Sequence, residues 1–463
     1  NRVVVVNRKK TTQIKLQEVF NMKYNQNFKI MQITDKTLVI GVDIAKKIHY
    51  ARTFDWRGIE LDRTISFKAN STGFSEFMKW AKKTAEKNGK DKIIVGIEPT
   101  GHYWYTFAQA LLVEGIMVVQ VNPYHVKKAK ELDDNSPSKS DRKDPKTIAM
   151  LVKDGRYQIP YIPTGKYAEL RKANNLREEW LKKMWSIKNK MQRWLDTYFP
   201  EFLKVFSDRE GKAAIMTLER MCLPSKIVGH TAEEIVSIWR EEIKRAVGIK
   251  RAQKLIAIAN SSVGIKEGLK MAEYEMQLLL KEYLEVRKIL DELEKHLEDI
   301  VLNIPGAERL LEVKGIGIKT VAGFLAEIGD ITRFSHPKQI IKLAGLNLRE
   351  NSSGEHKGET KITKRGRSRL RAILFRAILP LAAKNQEFNT LHKYYTTKKE
   401  NPLKKKQSLI ALCNKLIRIA YTLITMDVAY DPAKMMEDCS APRCQDTISK
   451  ILSYIFLPSF VSF

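Results

Sequence analysis

The hydrophobic period of this chain changes several times, and each change marks a region. Residues 37–42 form a continuous apolar run of strand length, and 50–56 and 61–67 follow it, with Arg57-Gly58 between them reading as a hairpin turn. Phe74, Phe77, Met78 and Trp80-Ala81 recur at helical spacing after Ser71-Thr72-Gly73, which predicts an amphipathic helix. Residues 93–97 and 116–121 are two further strands, separated by a helix over 104–113. A three-stranded meander followed by β-α-β units predicts a mixed α/β sheet. A short helix beginning near Asp144 closes the region, and Pro160 and Pro163 mark its end.

From 165 to 302 the pattern is helical almost throughout. Leu279, Tyr283, Val286, Leu290, Leu293, Leu297 and Ile300 form a heptad seam, the pattern of a coiled coil. Trp180, Met184, Ile187, Met191 and Trp194 repeat the spacing on an earlier helix, so pairing within one chain and pairing across a dimer are both open. Past Pro305 the composition changes to Gly-punctuated helices. The expected organisation is 1–36 as an N-terminal extension outside the fold, 37–160 as an α/β domain and 161–302 as a helical coiled-coil region. A mainly α-helical C-terminal domain over 303–430 and a tail over 431–463 complete it. The chain starts at Asn1, so the expected translation start is Met22 or Met31, with the residues before it read in from upstream.

Charge narrows the partners. Lys and Arg number 82 against 53 Asp and Glu, a formal net charge of +29. So large an excess calls for a polyanion. Nucleic acid is favoured over membrane, because the basic residues are spread along the chain and no run of about 18 uncharged apolar residues occurs. Residues 1–30 lack the order of a signal peptide. The four cysteines, Cys222, Cys413, Cys439 and Cys444, form no zinc-type pair and read as reduced thiols of a cytosolic protein.

Acids then stand where the strands of the α/β region end. Asp43 closes Gly41-Val42-Asp43, Glu98 closes Gly96-Ile97-Glu98, and Asp141 and Asp144 fall in Ser140-Asp141-Arg142-Lys143-Asp144. Pro99 holds Glu98 extended, and Asp141 and Asp144 at i, i+3 share a face if a helix begins there. Several carboxylates at one sheet edge suit a hard divalent cation, Mg2+ or Mn2+, and such ions serve in-line attack on a phosphodiester. Farther on, Gly315-Ile316-Gly317 precedes a helix and reads equally as a phosphate-binding turn or a plain one. Ser352-Ser353-Gly354 forms a polar loop, followed by Lys361, Lys364, Arg365, Arg367, Arg369 and Arg371, a cluster suited to phosphate contact.

The ordered set of motifs resembles the IS110 class of insertion-sequence transposases, which includes the Piv-type DNA invertases. The resemblance rests on Asp43, Glu98, Asp141 and Asp144 as an acidic tetrad. It continues in order through Gly315-Ile-Gly317, Ile328-Gly329-Asp330, Arg333-Phe334, Ala344-Gly345-Leu346, Ser353-Gly354 and Lys364-Arg-Gly366 before Leu370-Arg371. It spans about 37–160 and 303–425. The resemblance implies a RuvC-like ribonuclease H fold for the first domain, a metal-bound tetrad, and Ser353 as a nucleophile that links covalently to DNA. It also implies donor and target DNA as substrates, an element-encoded structured RNA as guide, and a dimer or tetramer in the bacterial cytoplasm, associated with the nucleoid. Where the family often has Pro two residues after Gly-Leu, this chain has Leu348, and the helical stretch 198–270 exceeds the family's minimal pattern. The alternative is a metal-dependent, junction-resolvase-like nuclease using the acids alone.

Overall fold

A computed structural model describes residues 26–133, 144–245, 247–349, 352–353, 356–358 and 360–435. They fall into two compact units divided between Ile162 and Pro163, with Arg333–Ser335 grouped with the first.

The first unit is built on a six-stranded mixed sheet. Its strands are β1 (Thr37–Asp43), β2 (Ile48–Phe54), β3 (Ile65–Lys68), β4 (Lys92–Ile97), β5 (Met117–Val121) and β6 (Tyr157–Gln158), in the order β3-β2-β1-β4-β5-β6. Strands β1, β4 and β5 run parallel, while β2, β3 and β6 are antiparallel to their neighbours. The apolar run of β1 is explained by burial on both faces. Leu38, Ile40 and Val42 face a core shared with Phe77 of helix α2 (Ser71–Lys87) and Phe107 of helix α3 (Trp104–Val113). Val39 alternates to the opposite core, with Ile148, Ala149 and Val152 of helix α5 (Asp144–Lys153). Helix α4 (Pro123–Asp133) precedes α5 in the chain.

The β2–β3 hairpin differs from its expected bounds because Asp55 intervenes. Its carboxylate accepts the backbone N–H groups of Arg57, Gly58 and Ile59, each at 2.9 Å, so β2 stops at Phe54. The boundary expected at residue 37 also needs correcting. Helix α1 (Gln26–Met31) donates from Gln26 to the Asp154 carbonyl at 2.9 Å, and Ile33 is buried in the same core as Val39. Residues 26–36 therefore belong to the fold, with Ile33 seated in the core beneath the sheet.

The second unit is dominated by two 34-residue helices, α6 (Gly165–Tyr198) and α11 (Leu269–Leu302), packed against each other within the chain. They run antiparallel, since the Trp194 indole donates to the Ala272 carbonyl at 2.8 Å while Arg177 pairs with Glu294 at 3.0 Å. Met184, Ile187, Met191 and Trp194 share one core with Leu279, Tyr283, Val286 and Leu290, so the two apolar seams are partners in one chain. Helices α7 (Lys212–Met221), α8 (Pro224–Val228), α9 (Ala232–Arg240) and α10 (Ile249–Asn260) fill the connection between them and extend that core.

Then come α12 (Ala307–Leu311), α13 (Ile318–Ile328), α14 (Pro337–Ala344), two small ribbons, α15 (Ser368–Lys384), α16 (Gln386–Thr397) and α17 (Lys405–Met426). The boundary expected at 302/303 falls inside this unit, because α13 packs on both α6 and α11. By length and composition α17 could cross a membrane. It carries Lys415 and Arg418, and here it buries Leu412, Leu416, Ile417 and Leu423 within the helical unit. Cys222 and Cys413 are buried free thiols, each pushed up to about 12 by burial. Cys439 and Cys444 lie outside the described residues.

Candidate active site

The sheet delivers two of the expected acids side by side. Parallel strands β1 and β4 pair Gly41 with Gly96 and Val42 with Ile97. Asp43 is the last residue of β1 and Glu98 the first beyond β4, and neighbouring strands lie about 5 Å apart. The third element is helix α5, whose first residue is Asp144.

Two glycines explain how that helix comes so close. A Cβ on Gly41 would lie 1.9 Å from the Pro145 carbonyl oxygen, and one on Gly96 would lie 2.4 Å from a Val152 methyl. Only a strand pair bare at both positions lets α5 rest on the sheet, its first turn over Gly41 and its last over Gly96. The glycine two residues before each acid is thus a packing requirement of the site. Gly-x-Asp, Gly-x-Glu and the short helix near Asp144 were visible in the sequence, but the packing of that helix on the two glycines was not.

Electrostatics tie these residues together. Burial pushes the Glu98 carboxyl above its ordinary range, the Lys130 ammonium opposes this, and the Asp144 charge adds to it. Lys130, on α4, pairs with the Asp144 carboxylate at 2.6 Å. Sequence reasoning missed Lys130, because it sits among Lys127 and Lys128 in what reads as a solvated run. Its ammonium lies where two carboxylates attract a cation.

The donors fit a hard divalent ion. Carboxylate oxygens are the ligands Mg2+ prefers, and it is commonly held by one or two of them, with water and substrate phosphate completing the shell. Among the described residues no group of three or more acid, imidazole or thiol side chains is gathered closely enough to hold a metal alone. Asp141, the fourth acid expected, lies outside the described residues.

Ser353 belongs to the second unit. It ends β8 (Ser352–Ser353), which pairs with β9 (His356–Lys357), Ser353 opposite His356. This hairpin is nested between β7 (Leu348–Arg349) and β10 (Lys361–Ile362), which pair in turn. The base of the nest is locked by two turns. Lys364 donates its backbone N–H to the Gly345 carbonyl at 3.0 Å, and Arg367 donates its own to the Leu343 carbonyl at 2.7 Å. A Cβ on Gly366 would lie 2.4 Å from the Leu343 carbonyl oxygen, so the Ala-Gly-Leu and Lys-Arg-Gly motifs interlock as backbone against backbone.

The six expected phosphate-binding cations divide accordingly. Arg371 donates to the Ala344 carbonyl at 2.9 Å, and Arg369 to the Asn175 side chain at 2.7 Å. Arg367 donates to the Glu327 carbonyl and lies 3.5 Å from its carboxylate, near the C-terminus of α13. Arg171 donates to the adjoining Ala326 carbonyl at 2.9 Å, so arginines satisfy carbonyls that the helix end leaves open. Lys361, Lys364 and Arg365 are exposed.

With the acids at the carboxyl edge of the α/β unit and the basic cluster in the helical unit, comparison with known proteins supplies the family. Residues 40–200 match the DEDD family of IS110 elements, described as "Transposase", and residues 307–395 match "Transposase IS116/IS110/IS902 family". The first match contains all four acids, and the second contains Ser353 and the basic cluster. The chain is 25% identical over 178 residues to the transposase for insertion sequence element IS1111A of Coxiella burnetii, covering 38% of this chain and 47% of that protein. It is 31% identical over 127 residues to the pilin gene-inverting protein of Moraxella bovis, covering 27% of this chain and 38% of that one. An IS900 uncharacterized 42 kDa protein of Mycobacterium paratuberculosis is 23% identical over 232 residues, covering 50% of this chain and 57% of that one. The chain thus spans roughly two fifths to three fifths of the relatives it matches. It belongs to the IS110 class of insertion-sequence transposases.

Proposed function

We propose that this chain is a DNA transposase that cuts and rejoins DNA at a composite centre, with the acids of the first unit holding a divalent metal and Ser353 of the second acting as nucleophile. The carrying observation is the convergence of Glu98 and Asp144 on Lys130, one strand away from Asp43. The strand order β3-β2-β1-β4-β5, with β2 antiparallel, supports reading the first unit as a RuvC-like ribonuclease H fold.

In this reading Asp43, Glu98, Asp141 and Asp144 hold Mg2+ or Mn2+, which when bound neutralises charge on the scissile phosphate. The Ser353 hydroxyl oxygen bonds to phosphorus as the phosphodiester bond to one strand breaks, and its proton passes to the departing oxygen. The phosphoserine link conserves the bond energy for rejoining. Lys364 and Arg365 hold neighbouring phosphates. The serine and the acids sit on different units, which supports a centre completed by closure of units from one chain or from two, in a dimer or tetramer. A structured guide RNA from the element would supply the sequence specificity, leaving backbone contacts to the protein. Such a protein works in the bacterial cytoplasm, at the nucleoid.

Asp43→Asn tests the acid site. It should abolish Mg2+-dependent strand cleavage while leaving DNA binding within about twofold, because one carboxylate contributes little against a net charge of +29. Cleavage by that variant at the wild-type rate, at matched Mg2+, would remove Asp43 from the site.

A further inference from the structure

The helical unit contains a cavity of about 1030 Å3 between the β7–β10 ribbon and helix α17. We propose that it is a pocket for an unpaired nucleotide, in which the base enters the apolar interior and its phosphate rests on the cationic rim.

Three observations carry this. The interior is apolar: Leu348, Ile362, Leu403 and Ile410 line it, and Leu348 is 63% exposed on a two-residue strand, where a leucine gains nothing from water. The charged side chains that line it are, among the described residues, all cationic: Arg349, Lys361, Lys364 and Lys406. The carboxamide of Asn414 also lines the cavity, and its Oδ1 is buried without a hydrogen-bond partner. A buried carbonyl oxygen without a partner is unfavourable, and a turn of that amide offers a donor and an acceptor to the edge of a base.

These features together select among ligands. A paired duplex presents its charged backbone and hides its base faces, so it satisfies the rim and leaves the interior empty. An unpaired nucleotide satisfies both, since single strands are held by a basic track plus apolar or aromatic faces for the bases. The volume is at the upper end for ligand pockets, with room for a base and its sugar. Lys364 stands in the left-handed region, with φ of 53°, where a lysine is uncommon. The interlocked turns hold that backbone in place and so fix its position at the rim.

The test uses the full chain with short oligonucleotides of one sequence, as single-stranded DNA, single-stranded RNA and duplex DNA, each carrying one 2-aminopurine. Ile410→Trp fills the cavity from inside, and Asn414→Leu removes the carboxamide at nearly constant volume. Thermal melts establish that each variant is folded. The proposal predicts that Ile410→Trp weakens single-strand binding about tenfold while changing duplex binding less than twofold. It also predicts that the 2-aminopurine emission rise on binding is lost in the variant, with Asn414→Leu giving a smaller loss in the same direction. Whichever of the DNA and RNA strands shows the effect is the source of the nucleotide. Unchanged single-strand affinity in both variants would overturn the pocket, as would a parallel loss of duplex affinity in a folded variant. Cleavage is not read, so failure here leaves the catalytic proposal standing, and failure of that proposal leaves the pocket testable.

Discussion

His49 shows at the residue scale what the sequence conceals. One histidine among eight, it carries no motif, yet it is wholly buried among Phe67, Phe74 and Phe107. Its Nδ1 accepts the Ala45 N–H at 3.2 Å, just past the end of β1, while Nε2 finds no partner. Burial lowers its pKa from 6.5 to about 4, so the folded protein keeps it neutral. Between those two values the unfolded chain binds the extra proton. The stabilising effect of a neutral His49 is therefore fully present above about pH 6.5 and is lost progressively as pH falls toward 4, by up to about 3 kcal/mol. Thermal melts between pH 7 and pH 4 should show the first unit losing stability, and His49→Gln should flatten that dependence. An equally steep decline in the variant would assign the acid sensitivity to other groups. Asp43 and Glu98 were legible, as strand-end acids, because each closes an apolar run. Lys130 and His49 were not, since a lysine among lysines and a histidine among aromatics become distinctive only when the fold brings their neighbours in.

Elements were legible where their period was strong and long. The seams of α6 and α11 were readable as matched apolar stripes, but a stripe cannot say which stripe it meets. The structure shows them meeting in one chain, through the shared core and the Arg177–Glu294 pair. Leu290 and Leu293 lie in that seam, 8% and 9% exposed. Replacing both by Lys places charges in an apolar interior, a loss of several kcal/mol. It should lower the melting temperature of the helical unit at every protein concentration. A change confined to the oligomeric state, with the melting temperature kept, would mean that the seam joins protomers instead. Short irregular elements were the least legible. The ribbons carrying Ser353 are only two residues per strand, and what fixes them is the interlock of Gly345 with Gly366, a tertiary contact that no local pattern announces. Helix α5 on Gly41 and Gly96 is the same lesson in the first unit.

For the whole molecule the charge excess remains the strongest single statement of the sequence, and the structure refines where it acts. Arg367 and Arg371 are part-buried and bonded to backbone carbonyls, and Arg369 is exposed but tied to Asn175, whereas Lys364 and Arg365 are exposed. Neutralising Lys364 and Arg365 together should lower the salt slope of DNA binding by about two units if both touch phosphates. Neutralising Arg367 and Arg371 should instead destabilise the helical unit. A slope unchanged by the first pair would make the exposed half of the cluster a solvated surface. The central claim is that the acids and Ser353 serve one reaction, and a covalent intermediate reports on both. The decisive measurement is mass spectrometry of the protein quenched with denaturant during reaction with its DNA and Mg2+, after nuclease digestion. The account predicts a nucleotide-mass adduct on the peptide containing Ser353, absent from Ser353→Ala and from Asp43→Asn. Strand cleavage by Ser353→Ala at the wild-type rate, with no adduct on any peptide, would contradict it and leave a metal-dependent nuclease in its place.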